Sequence, residues 1–276
     1  MLKAGGFQQP AIEDYAIIGD CRTAALISRE GSLDWLCLPD FSSASVFARL
    51  LDQRGGHFSI KPRSRFTTRR RYLPTTAVLE TTFETDSGAA RLTDLCPIVD
   101  SLSALEPMRE ILRVIEGIDG RVDLGIEFAP RPDYSRTKPA VGRIADGVWT
   151  CGWSNQLLLL NGSLGFIQDG EALHGVVSTA RGKREYLSLS YTEGDIGTIA
   201  PLGSAADTRC ERTIAWWRDW SKACQFEGPE RGTVLRSAIT LQVASSTGPK
   251  LECSQASVKR SASDGGSRTA PPMSAA

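Results

Sequence analysis

The sequence predicts a mainly β protein: an antiparallel β-sandwich, then two α-helices, then a disordered C-terminal tail. Three observations carry this expectation. Apolar and polar residues alternate with a period of two in short segments from residue 15 to about residue 195, the pattern of strands with one buried face. Turn signals recur between these segments at roughly ten-residue spacing, as in sandwiches rather than parallel βαβ folds. Around residues 201–206 the period changes to 3.6, the spacing of an amphipathic helix.

The elements follow in order. In the first hairpin, residues 22–28 and 33–38 flank a Glu30-Gly31 turn. Residues 43–51 are predicted as a short helix with Val46, Phe47, Leu50 and Leu51 on one side. Lys61, Arg63, Arg65, Arg69, Arg70 and Arg71 then crowd together with Phe66 and Tyr72. Such a run suits an exposed strand edge, where positive charge discourages aggregation, or a phosphate backbone; the neutral charge total favours the edge. Leu79, Thr81 and Phe83 oppose Glu80, Thr82 and Glu84, which places both glutamates toward solvent. Residues 121–128 alternate cleanly, with Val122, Leu124, Ile126 and Phe128 on one face. Turns are expected at Asp86-Ser87-Gly88, Ile118-Asp119-Gly120, Asp146-Gly147, Asn161-Gly162 and Asp169-Gly170, because Asn or Asp before Gly supplies the positive φ of tight hairpins.

Residues 207–224 put Thr213, Trp216, Trp217, Trp220 and Cys224 on one helical stripe, with Asp207 as N-cap. A second helix opens at Gly228-Pro229-Glu230 and should bury Val234, Leu235, Ala238 and Ile239. The two helices either lead into a further helical domain or cover one sheet of the sandwich.

Composition narrows the function classes. With 32 Lys+Arg against 32 Asp+Glu the net charge is zero, unlike a general nucleic-acid binder. No apolar stretch approaches the ~18–20 residues that span a bilayer. Seven cysteines are scattered with no CxxC, which argues against a zinc ribbon or redox pair and for reduced thiols. The N-terminal residues lack a signal-peptide apolar region, so a cytoplasmic location is expected. Two histidines without HExxH offer no metal site, no glycine-rich phosphate cradle is present, and no cofactor is expected. Gly162-Ser163-Leu164-Gly165 has the wrong spacing for a nucleophile elbow. No carboxylate pair suited to acid–base work can be singled out. Residues 243–276 hold eight serines and four large aliphatic residues, too little apolar surface to offset ordering entropy. This tail is basic, and the rest of the chain is mildly acidic.

Asp34 and Trp35 lie in the second strand of the first hairpin. An Asp that bonds sugar hydroxyls beside a stacking Trp is a common carbohydrate arrangement; equally, Trp35 could be core and Asp34 a turn support.

Three stretches, GDCRTAALISREGSLDWLCLPDFSSASVFARLLD, RRRYLPTTAVLETTFETDSGAARLTDLCPI and RVIEGIDGRVDLGIEFAPRPDYSRTKP, resemble the N-terminal domain of trehalase-like and glucoamylase-like proteins of glycoside hydrolase family 15. The later TIAWWRDWSKACQFEGPERGTVLRSAITL resembles that family's linker helix and the first helix of its catalytic barrel. The resemblance runs from about residue 12 to residue 241. It implies a supersandwich over residues 1–200, a linker helix over 201–227, the first helix of an (α/α)6 barrel over 228–242, and a foreign, out-of-frame or truncated tail over 243–276.

Members of the family hydrolyse α-glucosidic bonds with inversion, using two Glu residues ~6.5–9.5 Å apart with a water between them. Both lie in the barrel, past the point where the resemblance stops, so no catalytic residue is carried over to this chain. Of the N-domain loops, Arg22, Asp34 and Trp35 are expected to approach the barrel mouth, with Tyr134 in the PRPDYSR loop behind them. The expected function is the non-catalytic N-terminal part of such a hydrolase. Its partners would be its own barrel and, in the intact parent, trehalose or another α-glucoside, with no nucleic acid, membrane or metal. Without a barrel, Trp216, Trp217 and Trp220 should be partly exposed. The alternative is a free-standing carbohydrate-binding sandwich; a third reading is anion binding through residues 61–71.

Overall fold

The computed structural model describes residues 9–99, 107, 109–194, 197–224 and 226–245; most of the predicted tail lies outside the described residues. In chain order the strands are β1 (Ala16–Gly19), β2 (Ala24–Ile27), β3 (Ser32–Cys37), β4 (Ser45–Phe47), β5 (His57–Pro62), β6 (Phe66–Tyr72), β7 (Leu79–Thr85) and β8 (Gly88–Leu95). The long β9 (Glu110–Ala129) follows, then β10 (Ala140–Ala145), β11 (Val148–Trp153), β12 (Gln156–Gly162), β13 (Phe166–Asp169), β14 (Ala172–Ala180) and β15 (Arg184–Glu193).

All the pairings between these strands are antiparallel, as the alternation predicts. One sheet has the order β1-β2-β3-β5-β9-β14-β13, with β4 also on β3. The other runs β6-β7-β8-β9-β15-β12-β11-β10. Strand β9 belongs to both: residues 110–120 pair in the second sheet and 121–129 in the first.

The core lies between the sheets. Ile18, Leu33, Phe58, Ile60 and Phe128 of the first meet Phe83, Leu92, Ile115, Leu158 and Leu189 of the second in one buried cluster. Each such side chain contributes roughly 1.5–3 kcal/mol of burial. Phe128 receives Phe58 and Phe47 edge-on, at centroid distances of 5.4 and 5.9 Å. One ion pair sits inside this core. Arg113 Nε lies 2.7 Å from Asp94 Oδ1, both side chains fully buried, and the same guanidinium donates to the carbonyls of Phe58 and Gly31 in the opposite sheet.

Several local expectations need correction. Residues 43–51 are not a helix. Ser45, Val46 and Phe47 form β4, all three buried, and pair with β3 through Leu36 and Cys37; tertiary pairing of a β-branched and an aromatic residue overrides the helical spacing. Ile118-Asp119-Gly120 is not a hairpin turn but the bend at which β9 changes sheets. Gly120 has φ 55° and lies against Gly88, and a Cβ on it would stand 2.2 Å from the Ser87 carbonyl oxygen. Asn161-Gly162 ends β12 rather than a turn. The β11–β12 hairpin turns instead at Ser154-Asn155, with Ser154 at φ 51°. The turns at Glu30-Gly31, Asp86-Ser87-Gly88, Asp146-Gly147 and Asp169-Gly170 each join two consecutive antiparallel strands, and at Glu30-Gly31 these are the two segments expected. Half of the basic run, Arg69, Arg70 and Arg71, falls on β6, which among the described residues pairs only with β7, so the edge reading describes its position. Three of its charges meet carboxylates, Arg69 with Glu84, Arg71 with Glu80 and Lys61 with Glu30, and Arg70 donates to the carbonyls of Asp14 and Ile27. Glu80 is therefore buried, not solvent-facing as expected.

A single turn, α1 (Pro132–Ser135), follows β9. Two helices close the described chain, α2 (Ser204–Lys222) and α3 (Arg231–Val243). Asp207 lies inside α2 rather than capping it, and accepts hydrogen bonds from Tyr186 Oη and Arg184. The first half of α2 covers the outer face of the second sheet, where Ala206 meets Val78, Leu95, Leu112 and Val114. Its second half carries Trp216, Trp217 and Trp220 into a seam with Cys21, Ala24, Ala77, Ile98 and the α3 residues Leu235, Ile239 and Val243. The tryptophans are thus buried, against the expectation of partial exposure, because α3 and the β1–β2 connection close over them. Apolar exposure falls instead on Val234 and Leu241 of α3.

Candidate functional site

Of the four residues singled out from the sequence, two come together and two are engaged elsewhere. Trp35 and Tyr134 come together with ring centroids 6.3 Å apart and tilted by 52°. The register of β3 against β2 shifts at Asp34, and such a bulge re-aims the side chains beside it. Tyr134 stands in α1, where Asp133, Tyr134 and Ser135 all have positive φ, at 53°, 54° and 66°. Three successive left-handed non-glycine residues are costly, about 1–3 kcal/mol each, and persist only where the surroundings fix them. Here the Tyr134 N–H donates to Ser45 Oγ at 3.1 Å and Ser135 Oγ to the Arg54 carbonyl at 3.3 Å. Tyr134 remains 43% exposed.

Asp34 faces inward. Its carboxylate accepts from Tyr15 Oη at 2.9 Å and from Ser32 Oγ, and it is almost wholly buried. Burial and the neighbouring Asp34 charge push the Tyr15 phenol up. Asp34 therefore positions β3 and the strand beside Trp35 rather than presenting oxygens to solvent. Arg22 belongs to the β1–β2 connection, where its backbone N–H and that of Thr23 donate to Asp20 Oδ1. Burial pushes the Asp20 carboxyl up, against those N–H donors and the Arg109 charge. The same connection places Cys21, at φ 64°, in the tryptophan seam.

Beside Tyr134 a groove of about 550 Å³ opens between residues 48–55 and 131–139, with Glu171 at its rim. Arg131 and Lys138 lie 3.9 and 3.6 Å from Glu171, and Arg54 lies 3.6 Å from Asp52.

Sequence reasoning did not single out three further buried carboxylates, and each has a partner. Asp94 is taken by Arg113, Glu80 by Arg71 and Arg91, and Glu110 by Arg209 and Ser188. Both histidines flank one acid: His57 Nε2 lies 3.3 Å from Glu127, and His174 is its cross-strand neighbour on β14. The His57 hydrogen bond holds Glu127 below the usual carboxylate range, prevailing over burial. Burial pushes the thiols of Cys21, Cys151 and Cys210 up to about 12 and that of Cys37 to about 11, far from a nucleophilic thiolate at neutral pH. Among the described residues no group of His, Cys, Asp and Glu is arranged to hold a metal ion, and no helix is long and apolar enough to cross a membrane.

Comparison with known proteins gives this architecture a lineage. The chain is 30% identical over 255 residues to a trehalase of Mycolicibacterium smegmatis, covering 84% of this chain and 38% of that protein. A Mycobacterium tuberculosis trehalase is 30% identical over 273 residues, covering 90% of this chain and 40% of the relative. A Thermoplasma volcanium trehalase is 28% identical over 239 residues, covering 85% and 37%. The chain thus spans about two fifths of the length of these relatives. Residues 4–184, which take in nearly the whole sandwich, match the family described as trehalase-like, N-terminal, and the chain belongs to that family.

Proposed function

We propose that this chain is the non-catalytic N-terminal part of a trehalase-type glycoside hydrolase, of glycoside hydrolase family 15, acting on trehalose or another α-glucoside. The observation that carries the reading is the state of its carboxylates. An inverting hydrolase needs two, about 6.5–9.5 Å apart across a water-filled gap, with one acid group raised and free to donate. Here Asp20, Asp34, Glu80, Asp94 and Glu110 are the buried candidates, and each is engaged by N–H, hydroxyl or guanidinium partners. The chain's match to about two fifths of each trehalase relative points the same way.

In this reading residues 1–200 are the sandwich domain, 201–227 the linker and 228–242 the first helix of the catalytic domain. Arg22 on the β1–β2 connection, Trp35 on β3 and Tyr134 on α1 face the substrate entrance, and Asp34 holds the β3 bulge beside Trp35. A cytoplasmic location is supported by the six described cysteines, all of them free. The test is glucose release: purified chain incubated with trehalose or maltose yields none. Turnover that tracks the chain through purification would refute the proposal.

A further inference from the structure

We propose that the sandwich is a rigid mount for its two helices: two strained connections, residues 20–23 and 73–78, grip α2 and α3 and set the direction in which α3 points. The functional meaning of this mount rests on the reading of α2 as linker and α3 as the start of a catalytic domain; its rigidity does not. Between neighbouring domains relative motion is the default, so a fixed angle needs a device to hold it. Among the described residues, positive φ outside glycine falls on Asp133, Tyr134 and Ser135 in α1, on Ser154 in a hairpin turn, and on Cys21 and Thr75. The last two, at 64° and 62°, both sit where the sandwich meets the helices. For a β-branched residue such as Thr75 this conformation is a true outlier. Strain of this kind persists only where the surroundings fix it, and it gathers at clamps.

The β6–β7 connection offers successive carbonyls to the two helices. Ser221 Oγ of α2 donates to the Thr75 carbonyl at 2.9 Å, and Arg236 Nη1 of α3 donates to the Thr76 carbonyl at 2.8 Å. The Arg236 guanidinium also stacks 4.0 Å over the ring of Tyr72, the last residue of β6. Tyr72 Oη in turn donates to the Ile17 carbonyl and accepts from the Ile17 N–H, both at 2.9 Å. One turn thereby ties β1, β6, α2 and α3 together. Cys21 makes the second grip, since the Gln242 side chain hydrogen-bonds its sulfur. Next to Gln242, Val243 lies so close to Gly19 that a Cβ there would stand 2.7 Å from Val243 Cγ1. Arg236 and Val243 are two turns apart, about 10 Å along the axis. Two grips at that separation fix a rod's direction, where one contact would leave a pivot. Along α2, Thr213 Oγ1 accepts from the Ile98 N–H at 3.0 Å and Arg209 is buried against Glu110. The tryptophan seam supplies adhesion, which has no direction of its own; the polar grips supply the angle.

The test measures amide residual dipolar couplings of the full chain in a dilute alignment medium. Couplings from the strands, α2 and α3 should fit a single alignment tensor. In Arg236→Met combined with Gln242→Ala, which leaves the apolar side of α3 whole, the α3 couplings should shrink relative to those of the strands. Amide exchange across residues 235–243 should rise at least about tenfold in that double variant, with the loss of a charge-assisted hydrogen bond and a cation–π contact. Unaltered strand couplings would show that the sandwich stays folded. Arg218→Ala, on the exposed side of α2, should change neither measurement. Averaged-down α3 couplings in the parent chain would overturn the proposal, and that result depends on no variant. So would a double variant with the parent's couplings and exchange, which would leave the tryptophan seam alone in holding α3. Glucose release by the chain would refute the non-catalytic reading and leave the mount standing; a loose α3 in the parent would do the reverse.

Discussion

Arg113 reaches from β9 to Asp94 and to two carbonyls of the facing sheet, with nothing of either side chain exposed. Removing one partner of such a pair leaves an uncompensated buried charge, whereas replacing both by apolar residues is often neutral. Arg113→Met should therefore destabilise the fold by about 3–5 kcal/mol, and Arg113→Met with Asp94→Leu should recover most of that loss. Urea unfolding of the three proteins checks it; a double variant no better than the single one would contradict it. The signal was present in the sequence, since Arg113 falls between Ile111 and Ile115 in strand parity. It could not be read because Leu112 and Val114 are apolar too, and only α2 explains why both faces of β9 are buried. Glu127 gives a pH-dependent counterpart. Its carboxyl lies below the ordinary range through His57, His174 and Arg49. Its contribution is therefore full above the ordinary Glu value and is lost as pH falls through the lowered one. Because the side chain is 43% exposed, Glu127→Gln should cost about 0.2–1 kcal/mol above the ordinary Glu range, a cost that shrinks as pH falls through the lowered value. A difference in thermal melts that stays constant as pH falls would show that the contact with His57 contributes nothing.

At the scale of elements, strands with one wet face were legible and contexts with two dry faces were not. The alternation of residues 121–128 matches the buried side chains of β9 position by position. The 43–51 stretch reads as a helix because its apolar spacing fits 3.6, yet β4 is buried on both faces. Helix α2 was legible as an amphipathic stripe, but its partners were not. The burial of Trp217 depends on Cys21, Ile98 and Ile239, remote in sequence. Trp217→Ala should cost about 3–5 kcal/mol and release α3, seen as faster amide exchange across residues 231–243. Slow exchange there in the variant would show that Arg236, bonded to the Thr76 carbonyl and stacked 4.0 Å over Tyr72, holds α3 by itself. Gly120→Ala tests the sheet-switching bend: with φ at 55° and the Ser87 carbonyl 2.2 Å from a new Cβ, it should destabilise by more than about 1 kcal/mol. A melting temperature equal to that of the parent would mean the bend relaxes freely.

At the scale of the whole molecule, fold class and lineage were both legible, because period-two patterning and several ordered motifs survive across 4–184. The candidate site was legible in part. Trp35 and Tyr134 do meet, whereas the inward turn of Asp34 depends on Tyr15 and on a bulge that alternation cannot reveal. The net charge of zero is likewise satisfied locally, through pairs such as Arg71–Glu80 on the sheet edge and Arg209–Glu110 under α2. In the proposed role this sandwich and its two helices form a stable body without hydrolytic chemistry. The most direct measurement is a glucose-release time course at high protein concentration, on trehalose and maltose, for the parent chain and for Glu80→Gln and Glu110→Gln. No release above the buffer blank is expected from any of the three, with the two variants differing from the parent only in melting temperature. Release by the parent that either variant abolishes while still folded would contradict it.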